Sequence, residues 1–245
     1  MSHIHIDIEH LSFRYDKKTQ VLTDLSFHAG EHESIGIIGA NGVGKSTLLK
    51  LLVGLELPTE GSIRIEEIPL EKSTLSKIRE KIGYVFQDSD SQLFMTTVEE
   101  DVAFAPRNYG LPEDEVQRRV ETALEMTGIQ HLRNKAVYKM SGGEKKLASI
   151  ATILSMQPDI LLMDEPSAAL DPKNRRNLIR IINGFDHLKI LTSHDLDFIL
   201  DTCSRVILMD GGTIIEDGPA DKILQNRELL EAHGLELPLS LQGRR

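Results

Sequence analysis

The sequence has little cysteine, no long apolar run and no excess of positive charge. One cysteine among 245 residues excludes a disulfide framework within the chain and fits a reducing compartment. No apolar stretch approaches the roughly 18 residues of a membrane-spanning helix, and the first residues lack the cationic and apolar regions of a signal peptide. The net charge of -10 argues against broad nucleic-acid binding, because Lys and Arg must neutralise the phosphates. We therefore expect a cytoplasmic protein that reaches a membrane only through a partner.

The patterning of the chain predicts an α/β fold. The composition, 40% hydrophobic and 27% charged, is that of a folded protein with a sizeable core. Strands are predicted in residues 3–13, 21–28, 33–38, 61–66, 83–86, 160–163, 189–192, 205–209 and 213–216. Helices are predicted in residues 46–53, 173–183 and 196–202, with further helices across residues 97–138. Thr97 and Glu100 have the spacing of a capping box at the start of this helical segment. Alternation of strands and helices at both ends favours a mostly parallel sheet, interrupted by the helical middle.

A glycine-rich loop lies between the predicted strand at residues 33–38 and a predicted helix. Its sequence GANGVGKST fits the phosphate-loop pattern G-x-x-x-x-G-K-[ST] in the strand-loop-helix context that the pattern requires. The residues predicted to bind nucleotide are Gly39, Asn41, Gly42, Gly44, Lys45, Ser46 and Thr47. Successive N–H groups can face one anion here, and Lys45 supplies a positive charge for the β- and γ-phosphates. The Ser46 hydroxyl is a hard oxygen ligand that suits Mg²⁺.

Two acids end a later apolar strand. Asp164 and Glu165 follow the run Ile160–Met163, which would deliver them to the carboxyl edge of the sheet beside the phosphate loop. Asp164 is predicted to hold Mg²⁺, and Glu165 to orient or deprotonate an attacking water. An ordinary strand-to-turn boundary is the alternative, and the phosphate loop on the same chain outweighs it.

A second anion site is predicted at residues 140–144, Met-Ser-Gly-Gly-Glu. Ser141 and Glu144 have the spacing of a capping box that opens a helix, so glycine amides lie at a positive helix end. The motif resembles the signature of ABC ATPases, with Met140 in place of leucine. The resemblance implies nucleotide contacts from Ser141, Gly142, Gly143 and Glu144. Two anion sites on one chain make sense when two chains face each other head to tail, each ATP lying between both.

Further positions match the same family in order and spacing across about residues 4–218. Tyr15 resembles the aromatic residue that stacks on adenine, and a packed strand-end tyrosine is the alternative. Gln87 resembles the glutamine that senses Mg²⁺ and water while contacting the transporter. His194 resembles the switch histidine that contacts the γ-phosphate, and Ser167–Asp171 resembles the dimer-contact loop. The resemblance implies a catalytic set of Glu165, His194, Gln87 and Lys45, and a Mg²⁺ set of Ser46, Gln87 and Asp164.

The resemblance also implies the domain organisation. We expect a P-loop NTPase core with a mostly parallel sheet, an antiparallel β lobe and an inserted helical subdomain. The 245 residues would form a single ABC ATPase domain. The core with its β lobe is expected in residues 1–93 and 157–218, the helical subdomain in residues 94–156 and a C-terminal helical tail in residues 219–245.

Residues 86–94, FQDSDSQLF, resemble one branch of the family, the ATPase components of energy-coupling-factor importers of cobalt, nickel or vitamins. The usual pattern after the glutamine is Asn-Pro-Asp-Asp-Gln-Leu-Phe, from which Asp88, Ser89 and Ser91 depart. The acids nearby are Asp88, Asp90, Glu99, Glu100 and Asp101. We hypothesise that these acids line a groove for a coupling helix that carries arginine. The alternative is that they cap helices and keep the surface soluble.

The resemblance implies an ATP-hydrolysing subunit of an energy-coupling-factor importer, powering uptake of a small nutrient, with cobalt or nickel ion as the expected cargo. It implies ATP and Mg²⁺ as cofactors, and a dimer with itself or with a homologous ATPase. The membrane partners would be a transmembrane scaffold subunit and a substrate-binding membrane subunit. The chain would lie in the cytoplasm, peripheral on the inner face of the cell membrane, and would bind no nucleic acid. The alternatives are another ABC transporter branch, a vitamin importer, and a soluble ABC ATPase acting on nucleic acid or ribosomes. A non-enzymatic scaffold is a further alternative, against which the intact Lys45, Asp164, Glu165 and His194 argue.

The role given to Glu165 can be tested by Glu165→Gln. The amide keeps the size of the side chain but cannot take a proton from water, so we expect a protein that binds ATP and barely hydrolyses it. Nucleotide binding and phosphate release, measured on the same preparation, separate the two effects. Near-normal turnover would contradict the assigned role.

Overall fold

The structure is a computed structural model and describes residues 5–243, so that His3 and Ile4 of the predicted first strand lie outside the described residues. The strands are β1 (Ile6–Arg14), β2 (Gln20–Ala29), β3 (Ser34–Ile38), β4 (Glu60–Ile65), β5 (Ile68–Pro69), β6 (Ile82–Val85), β7 (Ile160–Asp164), β8 (Leu188–Thr192), β9 (Arg205–Asp210) and β10 (Thr213–Pro219). The α-helices are α1 (Lys45–Leu52), α2 (Leu75–Lys81), α3 (Val98–Asn108), α4 (Glu113–Thr127), α5 (Gly142–Leu154), α6 (Pro172–Asn183), α7 (Leu196–Thr202), α8 (Ala220–Gln225) and α9 (Arg227–Ala232). The predicted α/β class is confirmed.

The chain divides into two compact units. The first contains the residues up to Ile82, Asp159–Asp164 and the residues from Asp186 onward. The second contains Gly83–Pro158 and Glu165–Phe185. The phosphate loop therefore belongs to the first unit and the signature motif to the second. The sequence-based division into core, helical subdomain and tail stays a prediction.

A largely parallel sheet forms the centre of the first unit, with strand order β10-β9-β3-β8-β7. β3 pairs in parallel with β8 and β9, β7 pairs in parallel with β8, and β10 returns antiparallel to β9. Every residue of β3, β7 and β8 is buried. A parallel sheet covered on both faces buries both sides of its strands, which explains why these three segments are mostly apolar and show no regular polar alternation.

An antiparallel sheet of order β2-β1-β4-β5 forms the predicted β lobe in the same unit. β1 alternates as its sequence predicts, with Ile6 and Ile8 buried and Glu9 exposed. On its other face Asp7 lies opposite His28, and the His28 Nδ1 to Asp7 Oδ1 distance is 2.6 Å. The half-buried strand predicted at the start of the chain is thus present, extended to Arg14.

The second unit is helical, with α3, α4 and α5 packed on one another. Two predicted capping boxes are confirmed here. Thr97 and Glu100 exchange hydrogen bonds at the start of α3, and Ser141 and Glu144 do so at the start of α5. Each box satisfies helix N–H groups that have no partner within the helix. These caps fix where α3 and α5 begin.

Two elements of the first unit were missing from the sequence prediction. α2 (Leu75–Lys81) has no side-chain hydrogen bond at its N-cap and buries one residue, Ile78, while β5 has two residues. Segments this short carry little periodicity. Among residues 5–243 there is no helix long and apolar enough to cross a membrane.

The core of the first unit depends on Phe198 of α7, which is fully buried. We expect Phe198→Ala to lower the free energy of unfolding by about 3–5 kcal/mol, because truncation removes apolar contacts and leaves a cavity. Urea unfolding followed by circular dichroism measures the loss. Phe94→Ala is the matched control, since the Phe94 side chain is 64% exposed and its loss should cost less than about 0.5 kcal/mol. Equal losses in the two variants would contradict this assignment of the core.

Candidate nucleotide site

The phosphate loop depends on glycines that no other residue could replace without strain. Gly39, Gly42 and Gly44 have φ angles of +150°, +82° and +105°, which side chains other than glycine rarely adopt. A Cβ on Gly39 would lie 2.3 Å from the carbonyl oxygen of Met209, and one on Gly44 would lie 2.4 Å from Leu22. No side chain caps the following helix α1 at its N-terminus. The loop amides therefore stay available to an anion, as a phosphate site requires.

The cationic and hydroxyl groups of the loop are held by hydrogen bonds. Lys45 is buried, and its Nζ donates hydrogen bonds to the carbonyl oxygens of Gly39 (2.7 Å) and Ala40 (3.0 Å). Ser46 Oγ donates to Asp164 Oδ1 at 2.9 Å across 118 residues of sequence. The ammonium and hydroxyl groups thus belong to the phosphate loop and the start of α1, and the hydroxyl is paired with a carboxylate at the end of β7.

The buried carboxylate of Asp164 has a second partner that the sequence did not reveal. Thr192 Oγ1 donates to the same Oδ1 at 2.6 Å, because Asp164 and Thr192 are paired residues of β7 and β8. One hydroxyl, one carboxylate and the phosphates themselves are the oxygen ligands that Mg²⁺ commonly takes in nucleotide sites. The donor set around Ser46 and Asp164 fits a magnesium nucleotide.

Glu165 and His194 follow the ends of β7 and β8. Glu165 is buried and has a φ of +46°, a left-handed conformation that costs a non-glycine residue about 1–3 kcal/mol. His194 is exposed, two residues beyond Thr192 at the carboxyl edge of the sheet. Strained backbone of this kind clusters at functional positions. The catalytic roles of both residues stay predictions.

Tyr15 lies beside the phosphate loop. Its hydroxyl is 3.2 Å from Thr47 Oγ1, and its ring meets Phe13 edge-on at 4.8 Å. The side chain is 54% exposed, so much of the ring remains accessible to a planar ligand. This placement agrees with adenine stacking, while the Phe13 contact also matches the packed tyrosine that was the alternative.

The signature motif forms the start of α5 in the second unit. Ser141 Oγ accepts the N–H of Glu144 at 3.3 Å, and Glu144 Oε2 accepts the N–H of Ser141 at 2.8 Å. A Cβ on Gly142 would meet nothing within 4 Å, so the helix end is open on that side. Lys135 Nζ lies 2.8 and 2.9 Å from the two carboxylate oxygens of Glu144. The structure therefore places the Glu144 carboxylate in the cap.

The electrostatics of this cap follow from Lys135. Its hydrogen bond, followed by the N–H of Ser141, holds the pKa of Glu144 below its usual range. A carboxylate that stays ionised in the cap keeps accepting the Ser141 N–H. Ser141, Gly142 and Gly143 can face a phosphate beside this cap. The nucleotide contacts of these three residues and of Glu144 stay predictions.

Gln87 is exposed and lies in the segment Phe86–Gln92 of the second unit, which we call the glutamine loop. The main-chain carbonyl oxygen of Gln87 accepts a hydrogen bond from Lys146 of α5. Among the described residues, no hydrogen-bond partner of the Gln87 side-chain amide is found. The role of Gln87 at Mg²⁺ stays a prediction.

Comparison with known proteins identifies the family. The profile of the ABC transporter family matches residues 22–168, more than half of the chain. The chain belongs to the ABC transporter ATPase family. It is an ATP-hydrolysing subunit of a transporter, and its P-loop NTPase fold is confirmed.

Relatives of this ABC ATPase match almost the whole chain. An ABC transporter ATP-binding protein of Geobacter sulfurreducens is 49% identical over 99% of this chain and 98% of its own length. The energy-coupling factor transporter ATP-binding protein EcfA of Methanothermobacter thermautotrophicus is 41% identical over 95% of this chain and 76% of its own.

Solved structures give the same result. CbiO1 from Clostridium perfringens, described as part of the ABC transporter complex CbiONQ, has a TM-score of 0.82 and 35% identity, covering 93% of each chain. A dimeric, post-hydrolysis ATP-binding cassette bound to ADP and Pi, MJ0796, has a TM-score of 0.80 and 25% identity, covering 88% of this chain and 98% of its own.

The contact between Thr192 and Asp164 gives a test of the Mg²⁺ site. Thr192→Val removes one hydroxyl, and we expect the Mg²⁺ concentration for half-maximal ATPase activity to rise about fivefold, the equivalent of about 1 kcal/mol for one hydrogen bond. Affinity for nucleotide without Mg²⁺ should not change. Thr202→Val is the control, because its buried hydroxyl donates to Phe198 instead. An unchanged Mg²⁺ requirement in Thr192→Val would contradict the assignment.

Proposed function

We propose that this ABC ATPase is the energising subunit of an energy-coupling-factor importer, peripheral on the inner face of the cell membrane. The observation that carries the proposal is an exposed aromatic groove beside the glutamine loop. Asp90, Leu93, Phe94, Met95, Thr96, Val137, Tyr138 and Lys145 line it. We call these residues the docking groove, whose cavity measures about 380 Å³.

The docking groove exposes aromatic rings that a purely solvated surface would not need. Phe94 is 64% exposed and Tyr138 is 76% exposed. Phe94 is held edge-on against Phe104 with ring centres 4.8 Å apart, so it is not a loosely placed side chain. Ordered, exposed aromatics commonly mark the energetic centre of a protein interface. We infer that a helix of the membrane scaffold subunit inserts here.

Asp101 holds the segment that presents Phe94. This carboxyl is 3% exposed, and its Oδ1 accepts the N–H groups of Phe94 and Met95, each at 3.1 Å. Its Oδ2 is buried and has no hydrogen-bond partner within residues 5–243. Burial raises the pKa of Asp101. The backbone next to the groove is therefore fixed by a buried acid.

The acids that the sequence analysis placed along a groove for an arginine-bearing helix make contacts within the second unit. Two of them form salt bridges, Asp90 with Lys145 and Glu99 with Arg133. The other three carboxylates accept backbone N–H groups: Asp88 that of Asp90, Glu100 that of Thr97, and Asp101 those of Phe94 and Met95. Arg133 holds the pKa of Glu99 below its usual range. These contacts support the alternative that the acids cap and brace the helices. We therefore propose an apolar docking segment in place of an arginine-led one.

ATP hydrolysis in the proposed mechanism takes place between two chains, one of them this chain and the other a second copy or a homologous ATPase. The phosphate loop with Lys45 binds the phosphates of one ATP, and Ser141 of the facing chain closes on its γ-phosphate. Glu165 and His194 orient the attacking water. Bound Mg²⁺, held by Ser46, Asp164 and Gln87, would neutralise charge on the β- and γ-phosphates. Positioning and charge neutralisation supply most of the catalysis.

The importer branch is supported by the similarity to EcfA and to CbiO1 and by the Gln92-Leu93-Phe94 motif. We keep cobalt or nickel ion as the proposed cargo, with a vitamin as the alternative. The alternatives are another ABC transporter branch and a soluble ATPase acting on nucleic acid or ribosomes. The following experiment distinguishes both from the proposed importer.

The chain, affinity-purified from detergent-solubilised native membranes, should bring a transmembrane scaffold and a metal- or vitamin-binding membrane subunit, identified by mass spectrometry. Phe94→Ser should lower this recovery at least about tenfold, because an interface aromatic is lost. Tyr109→Ser is the control, an exposed aromatic outside the docking groove. Recovery of soluble proteins or ribosomes alone would overturn the proposal.

A further inference from the structure

A buried lysine of the signature helix holds the glutamine loop. Lys146 lies in the second turn of α5 and is 3% exposed. Its Nζ donates hydrogen bonds to the carbonyl oxygens of Phe86 (3.0 Å) and Gln87 (2.6 Å). Burying a charged ammonium group costs free energy unless the group is hydrogen-bonded, so breaking these contacts would be unfavourable. Lys146 thus attaches the beginning of the glutamine loop to α5.

The other end of the loop is attached to the same helix by Gln92. Its Nε2 donates to the carbonyl oxygen of Ser149 (2.6 Å) and to Thr152 Oγ1 (2.8 Å). Its Oε1 accepts the N–H of Phe86 at 3.1 Å, which closes the loop on itself. Lys146, Ser149 and Thr152 are spaced three residues apart, so they share one face of α5. Both ends of the loop are fixed to that face.

This attachment links two parts of the nucleotide chemistry. Ser141 caps the N-terminus of α5, and Lys146 lies five residues further along the same helix. The main chain of Gln87 is bonded to Lys146, so a shift of α5 that brings Ser141 to a phosphate also carries the backbone of Gln87. A rigid helix passes on such a shift without a separate conformational step.

We propose that Lys146 is a positioning residue of the ATPase reaction, coupling the signature helix to the glutamine loop so that Gln87 takes its place together with Ser141. The proposal rests on the proposed function only in that this chain hydrolyses ATP through Gln87. The residue acts through Gln87 and makes no contact of its own with the nucleotide.

The test is a mutant cycle with Lys146→Met and Gln87→Ala. Methionine keeps an unbranched apolar side chain and removes the ammonium. We expect kcat of Lys146→Met to fall about tenfold or more, with KM for ATP and nucleotide affinity within about twofold of wild type. The Mg²⁺ concentration for half-maximal activity should rise, as in Gln87→Ala. Adding Lys146→Met to Gln87→Ala should cause no further loss, because residues acting through one another are not additive.

Lys222→Met on α8 is the control for charge, since Lys222 is exposed and has no place in either site. Gln92→Leu removes the hydrogen bonds from Gln92 to Ser149 and Thr152 of α5. This variant replaces Lys146→Met in the test if Lys146→Met does not fold, and we expect it to lower kcat and leave KM unchanged. Hydrogen exchange of residues 86–92 should be faster in both variants.

A kcat of Lys146→Met close to wild type, or losses that multiply in the double variant, would overturn the proposal. If Lys146→Met does not fold, an unchanged kcat in Gln92→Leu would overturn it. Failure to recover a membrane subunit would overturn the importer assignment and leave this cycle valid. A wild-type chain without Mg²⁺-dependent ATPase activity would overturn both.

Discussion

The parallel hydrogen bonding of β3, β8 and β7 is the constraint on which the nucleotide site depends. Thr192 of β8 pairs with Ile37 of β3 on one side and with Asp164 of β7 on the other. The phosphate loop after β3, Asp164 at the end of β7 and His194 after β8 consequently emerge at one edge of the sheet. A slip of one residue would turn Asp164 to the other face, because side chains alternate along a strand. The unbroken burial of these strands keeps that register.

Each unit contains a helix N-terminus that we propose binds an anion, and the two N-termini are capped differently. α1 begins at Gly44 without a side-chain cap, so its first amides remain available. α5 begins at Ser141, whose capping box with Glu144 satisfies part of the helix end and leaves the glycine amides beside it. Lys135 stabilises that box from outside the motif. The N-terminus of α1 therefore has no side-chain cap, whereas that of α5 is partly satisfied by a capping box that Lys135 stabilises.

The second unit joins its candidate membrane-facing surface to its signature helix through side chains. Lys146 and Gln92 tie the glutamine loop to α5, and Asp101 holds the adjoining segment at Phe94. The docking groove and the signature motif are therefore connected through hydrogen bonds within the second unit. A partner that moves the docking groove would act on Ser141 through these contacts.

The sequence by itself determined the elements whose signals are local. The phosphate loop, the capping boxes at Thr97 and Ser141 and the apolar strands were predicted because glycine freedom, cap spacing and hydrophobic runs act within a few residues. Only the tertiary structure decided which distant polar groups meet. Thr192 at Asp164, Lys135 at Glu144 and Lys146 at the glutamine loop leave no local pattern, and the acids near Phe94 turned out to be braced. Such contacts arise from strand register and helix packing, which fix positions across many residues of chain.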